Sequence, residues 1–305
     1  MNDEMKASQK TPVRIALWGA GGIYRAYEDT LRDMQDRGEI EIVAIADTDT
    51  SRAARPSGIC FVHPDELSEF DFQYVLIMNR NQMEEIIQQA SLDYGIESER
   101  LLTNIILKIP GFDFPRYQML RKASPSIISN SSWGTAVFRA LQMDVRSPFV
   151  GTRIRERDYL RLLSGLDDYL NESTPVFKGW RIDAYGRRYL AASVGDVDLR
   201  FFAPHTEESA ITTWREGCSS INRQSAIVQM STLDPACERR FDELSGFLRK
   251  ICFVPYETNV ASSIQVPVES EHRIFELSVE RAVERELGEI PYDVLGLLLG
   301  QGAVM

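Results

Sequence analysis

The segment Val13–Trp18 is a run of apolar residues broken only by Arg14, and it ends at Gly19-Ala20-Gly21-Gly22. Ile23, Tyr27, Leu31 and Met34 then recur at three-to-four spacing. That pattern reads as a buried strand, a glycine turn and an amphipathic helix. Arg37-Gly38 stops the helix, and Ile40–Ala46 supplies a second apolar strand ending at Asp47. A strand, helix and parallel strand within about 35 residues form a βαβ unit, and its crossover demands a parallel sheet covered by helices.

The alternation continues. Tyr74–Met78 reads as a strand, and Asn81 with Glu84 reads as the capped start of a helix whose core stripe is Met83, Ile86, Ile87 and Ala90. Leu101–Leu107 reads as a further strand. Lys108-Ile109-Pro110-Gly111 interrupts the pattern, which then restarts with Ser126–Ser131. Tyr159, Leu163, Leu166 and Tyr169 mark one long helix, Val197, Leu199 and Phe201 a half-buried strand, and Ile211, Trp214, Cys218 and Ile221 a helix capped by Thr206. The expected fold class is α/β, with two Rossmann-like domains built on mainly parallel sheets. Residues 1–110 form a nucleotide-binding-type domain, and residues 111–305 form a second α/β domain with a C-terminal helical tail.

Composition narrows the partners. A net charge of −11 repels polyanions, so nucleic acid is not an expected partner. No stretch of about 18 apolar residues is present, so no membrane span is expected. The polar start MNDEMKASQK has no apolar signal segment, and Cys60, Cys218, Cys237 and Cys252 are scattered without a C-x-x-C pair. Cytoplasmic placement, without disulfides or a zinc site, is the expectation.

A strand-to-helix turn that binds phosphate needs close backbone approach, which a Cβ would block, and a helix N-terminus offering free N–H groups. Gly19, Gly21 and Gly22 begin the G-x-G-x-x-G pattern, but Tyr24 stands where the third glycine would be. Asp47 stands where a carboxylate would accept a ribose hydroxyl, so the expected ligand is a nucleotide sugar or NAD rather than NADP. The bland alternative is a turn that needs glycine only for its own shape.

A second strand-to-helix turn carries Asn130, Ser131, Ser132, Trp133 and Gly134. Three short polar side chains and a glycine there suit a sugar hydroxyl or phosphate. Equally, Ser132 is a helix cap and Trp133 a core residue. Asp196 after Gly195 either orients a sugar or closes a turn, and His205 before a helix is a candidate for proton work. The Arg153, Arg155, Arg157 and Arg161 run reads as a solvated helix face. Leu295, Leu297, Leu298 and Leu299 exceed one amphipathic face, which suggests a homodimer contact or burial against the chain's own core.

Two stretches, SIISNSSWGTAVFRAL with SPFVGTRIRERDYLRLLSGLDDYL and VGDVDLRFFAPHTEESAITTWREGCSSIN, resemble a bacterial family of unknown function loosely labelled exopolysaccharide biosynthesis protein. The resemblance spans about residues 117–268. Within it, Ser131-Ser132 replaces the family's Asn-Cys pair, Thr135 replaces a glycine, and Gly217 replaces a basic residue on the Trp214 helix. The N-terminal pattern GAGG, IADTD, HPDEL and VLIMN is similar to nucleotide-sugar-binding domains. These resemblances imply surface-polysaccharide biosynthesis as a context rather than a reaction. Within it the expectation is a transferase, with Ser132 or His205 doing proton work and Asp196 orienting the sugar, or a non-catalytic ligand-binding or scaffolding partner. An NAD-dependent oxidoreductase is the lesser alternative. The implied partner is a small sugar or nucleotide.

Overall fold

The computed structural model describes residues 11–49, 58–172, 174–203, 206–266 and 292–301. The chain divides into two compact units, Met1–Lys108 with Phe112–Gln118 and Ile109–Gly111 with Met119–Met305. Its architecture is α/β with mainly parallel sheets.

The first unit runs β1 (Val13–Trp18), α1 (Gly22–Asp36), β2 (Ile40–Ala46), β3 (Phe61–Val62), β4 (Tyr74–Ile77), α2 (Met83–Leu92) and β5 (Leu101–Thr103). The sheet order is β3-β2-β1-β4-β5, parallel throughout. That order reverses between β1 and β4, the place where doubly wound sheets open a cleft at their carboxyl ends. Alternate residues Ala16, Trp18, Ala44, Ala46, Val75 and Ile77 face one core, which Ile86 and Ala90 of α2 close.

Two local expectations are corrected here. The strand expected over Leu101–Leu107 stops at Thr103, and Asn104–Lys108 forms a 3-10 turn that buries Ile106. A short apolar run does not by its periodicity separate strand from helical turn. The start of α2 is organised by Asn79 rather than Asn81: the Asn79 Oδ1 accepts from the N–H groups of Asn81 and Gln82 at 3.0 and 3.1 Å.

An α3 helix (Phe114–Ala123) follows. The second unit then holds β6 (Ser126–Ser129), α4 (Trp133–Ala140), β7 (Thr152–Ile154), α5 (Glu156–Ser164), α6 (Leu166–Glu172), β8 (Val176–Ile182), β9 (Arg188–Val194), β10 (Val197–Phe201), α7 (Glu207–Ser220), β11 (Ala226–Ser231), α8 (Pro235–Glu243), β12 (Arg249–Val254), β13 (Ser263–Gln265) and α9 (Val294–Leu299). The parallel sheet is ordered β13-β12-β11-β6. One of its faces joins a core with α5, α8, Trp214 and the inner residues of a second, antiparallel sheet ordered β7-β10-β9-β8.

The antiparallel sheet was not expected. Only Phe177 of β8 packs against the core; past the register shift Trp180, Arg181 and Ile182 are all exposed, so the strand loses the alternation of burial that marks a half-covered strand. The long helix expected from Tyr159 to Tyr169 is two helices, broken at Gly165. Arg153 lies in β7 and is buried, not on a solvated helix face. Leu295 and Leu298 of α9 are fully buried, and Tyr292 just before it stacks on Phe253. The tail leucines are therefore core residues of their own chain. The part of the expected tail helix around Leu277 lies outside the described residues.

Candidate functional site

The cleft at the carboxyl ends of β1 and β4 is a cavity of about 590 Å³. It is lined by Gly19, Gly21 and Gly22 from the first turn, Asp47 and Asp49 from the end of β2, and Asn79 to Gln82 from the turn before α2. The size falls within the range of nucleotide-scale pockets.

The three glycines differ physically. Gly19 has φ +113°, and a Cβ there would stand 3.0 Å from the Met78 carbonyl oxygen, so the backbone itself requires glycine. Gly22 has an ordinary φ, and beyond its chain neighbours and its own helix turn no atom lies within 4 Å of where its Cβ would be. Gly21 occupies the N-cap position of α1 and supplies no side-chain cap. The first intrahelical bond there runs from Arg25 N–H to Gly21 O, so the N–H groups of Gly22, Ile23 and Tyr24 precede the helical ladder. No acidic side chain stands in the first turn of α1, so the helix end itself favours an anion, against the carboxylates of Asp47, Asp49 and Glu85 that line the same cavity. Tyr24, in place of the third glycine, is buried, and burial with nearby Glu28 pushes its hydroxyl pKa up.

Asp47 is buried. Its Oδ2 accepts from Ala20 N–H at 2.7 Å and its Oδ1 from Asp49 N–H at 2.9 Å. The carboxylate expected to receive a ribose holds the glycine turn in place. Sequence reasoning did not single out Arg80, which lines the cavity, is exposed, and is in no ion pair among the described residues. Its signal was available: it stands three residues past the end of β4, at the same edge of the sheet as Gly19.

The second turn is differently occupied. Asn130, Ser131 and Trp133 are buried. The Asn130 amide donates to Ser231 O at 3.0 Å and accepts from Ser231 N–H at 2.9 Å, extending the β6–β11 pairing past its last backbone rung. Ser129 donates to Gln229 Oε1, Ser131 reaches the same oxygen at 3.4 Å, and Gln229 Nε2 donates to Ser231 Oγ at 2.9 Å. The Trp133 indole N–H donates to Tyr292 at 2.8 Å, and a Cβ on Gly134 would meet Ile127 at 2.7 Å. These groups are spent on one another. Ser132, half-buried, is at the N-cap of α4 without bonding its backbone.

Asp196 is exposed at the tip of the β9–β10 hairpin. It accepts from the Tyr169 hydroxyl at 2.5 Å, with Arg161 at 3.4 Å; the Tyr169 hydrogen bond holds its carboxyl pKa below the usual range. It closes a turn there, beside Gly195 at φ +55°. His205 and Arg52 lie outside the described residues. No cluster of His, Cys, Asp and Glu among the described residues has the makings of a metal site, and no helix among them is long and apolar enough to cross a membrane.

Residues 105–287, more than half of the chain, match the family described as Domain of unknown function (DUF1919). The chain belongs to that family. The DUF1919 match contains the parallel and antiparallel sheets of the second unit as well as the Asn130–Ser231 pairing. Residues 12–102 match the family described as C2185-like, N-terminal, which takes in the whole glycine-turn cleft. An uncharacterized protein of Haemophilus influenzae (strain ATCC 51907 / DSM 11121 / KW20 / Rd) is 25% identical over 136 residues. That match covers 43% of this chain and spans 63% of the relative's length. The crystal structure of the WlbA dehydrogenase from Chromobacterium violaceum, in complex with NADH and UDP-GlcNAcA, overlaps at a TM-score of 0.26 and 13% identity. It covers 67% of this chain and 82% of the other, too loose a likeness to carry an argument.

Proposed function

We propose that the first unit binds the diphosphate of a nucleotide-linked ligand, a nucleotide sugar in the first instance, at the Gly19–Gly22 turn. One observation carries the reading. Gly22 is a glycine with no neighbour inside the protein that demands one, at the uncapped start of a 15-residue helix, facing a cavity. Nothing in the chain's own packing calls for glycine at this first helical position, and a ligand approaching the backbone accounts for it. Arg80 supplies the cation that a phosphate needs on the same cleft.

The resemblance of the second half to proteins labelled for exopolysaccharide biosynthesis supports a role in surface-polysaccharide assembly. In its transferase form the proposal puts acceptor chemistry at Ser132, with Asp196 and His205 in supporting roles. The saturation of the Ser129–Gln229–Ser231 network favours the form in which the chain binds the ligand without transforming it.

Calorimetric titration of the full chain with UDP, ADP, a panel of UDP-sugars and NAD tests the reading. Binding of a nucleotide sugar that is lost in Gly22→Leu and weakened in Arg80→Ala is the expected result. A panel without binding, or binding indifferent to both variants, sinks it. Turnover of the bound sugar that Ser132→Ala abolishes would restore the transferase form.

A further inference from the structure

Strand β8 lies at the edge of the antiparallel sheet: β9 pairs with one side, and no described strand pairs with the other. An unpaired edge is a template for another chain and is ordinarily blunted. Here a register shift between Phe177 and Trp180, with Gly179 at φ +81°, bends the strand's first half. Beyond the bulge, the strand from Trp180 to Ile182 and the hairpin tip carry apolar side chains in the open. Ile182 is 70% exposed, Tyr185 62% and Trp180 39%, and Val176 before the bulge is 66% exposed. Trp180 and Ile182, paired with Leu190 and Arg188, share one face of the hairpin, and two large apolar side chains open there mark a contact site, while Val176 stands on the other face.

The same edge is basic although the chain carries −11. Arg181 and Arg188 are exposed and in no ion pair among the described residues. The Arg188 guanidinium lies 4.2 Å over the Trp180 ring, leaving its N–H edges open. Arg181 pairs in register with Tyr189, and Ile182 with Arg188, so the two cations stand on opposite faces of the sheet. A strand laid along β8 alternates its side chains between those faces, and so meets a cation on each.

We propose that the side of β8 away from β9 docks an extended acidic segment of a partner protein, with apolar residues set against Trp180 and Ile182 and carboxylates against Arg181 and Arg188. The backbone edge supplies the pairing and the two arginines select the charge. A second copy of this chain fits less well, because two-fold pairing of β8 sets these cations near their own copies. A nucleic acid meets the repulsion of the remaining acidic surface. This inference is independent of the nucleotide site.

The test titrates the full chain with a labelled peptide of alternating valine and glutamate and with its lysine counterpart, read by fluorescence anisotropy. The acidic peptide binds and the basic one does not. Arg181→Glu with Arg188→Glu weakens the acidic peptide by about tenfold or more, as does Ile182→Asp, whose exposed side chain is not needed for folding. Hydrogen exchange slows over residues 176–182 when the acidic peptide is added. Equal binding of the two peptides, no binding, or protection elsewhere overturns the proposal. So does a dimer in light scattering that Ile182→Asp dissociates, which makes a second copy the occupant. Displacement of the peptide by a single-stranded oligonucleotide assigns the edge to nucleic acid and also overturns it.

Discussion

The Asp47 carboxylate accepts a hydrogen bond from the backbone N–H of Ala20 at 2.7 Å, so the end of β2 holds the glycine turn that follows β1. Removing that acceptor in Asp47→Ala leaves a buried N–H without its partner. The expected cost is about 1–3 kcal/mol, read as a lowered midpoint in urea unfolding. Ligand affinity at the turn falls with it if the proposed site is right, because the N–H groups that meet the phosphate lose their alignment.

Gly19 and Gly22 separate shape from function. Gly19→Ala forces a Cβ into a left-handed backbone against the Met78 carbonyl, at about 1–3 kcal/mol. Gly22→Leu places its side chain in open space and leaves stability unchanged or slightly raised. Thermal unfolding of the two variants distinguishes them, and comparable loss in both removes the ligand argument for Gly22.

Gly217 packs its helix onto backbone: a Cβ there would lie 2.4 Å from Pro148 Cα. Gly217→Ala therefore overpacks the contact between α7 and the Ser147-Pro148 segment and destabilises by about 1–3 kcal/mol. A variant as stable as the parent in denaturant titration contradicts this packing.

Asn130→Ala strips Ser231 of both a donor and an acceptor in a buried setting. An unfolding cost of about 1–3 kcal/mol is expected. The double variant with Gln229→Leu should be non-additive, since both side chains converge on Ser231. Simple addition of the two single effects would show the pairs to be independent.

Burial pushes the Cys252 thiol up from its ordinary 9.0 to about 12, and Cys237 to about 11. The folded state thus favours the neutral thiol. That stability is intact below about pH 9 and is lost as pH rises toward 11 to 12. Urea midpoints should fall across that window, less steeply in Cys252→Ala. In native protein near neutral pH, Ellman's reagent should modify exposed Cys60 first, because the buried thiols are both covered and short of thiolate.

The sequence by itself determined the elements whose evidence is local. The alternation of strand and helix through residues 13 to 92, the glycine turn after β1 and the Thr206 cap all follow from periodicity and turn chemistry within a few residues. Parallel sheets follow from that alternation. Only the tertiary structure decided what each polar group does. Asp47 could meet a ribose or a backbone N–H, and the choice went to Ala20, 27 residues away. Asn130 could meet a sugar or a strand, and its partner Ser231 lies 101 residues along the chain. Trp133 read as readily as a ligand-site residue as core, and the α9 leucines as contact surface, until Tyr292 is brought against both Trp133 and Phe253. Strand β8 is invisible locally because, Phe177 apart, its large apolar side chains Val176, Trp180 and Ile182 face solvent. Hydrophobic periodicity records which face of an element is buried, while a hydrogen bond depends on which distant group the folded chain sets within about 3 Å of it.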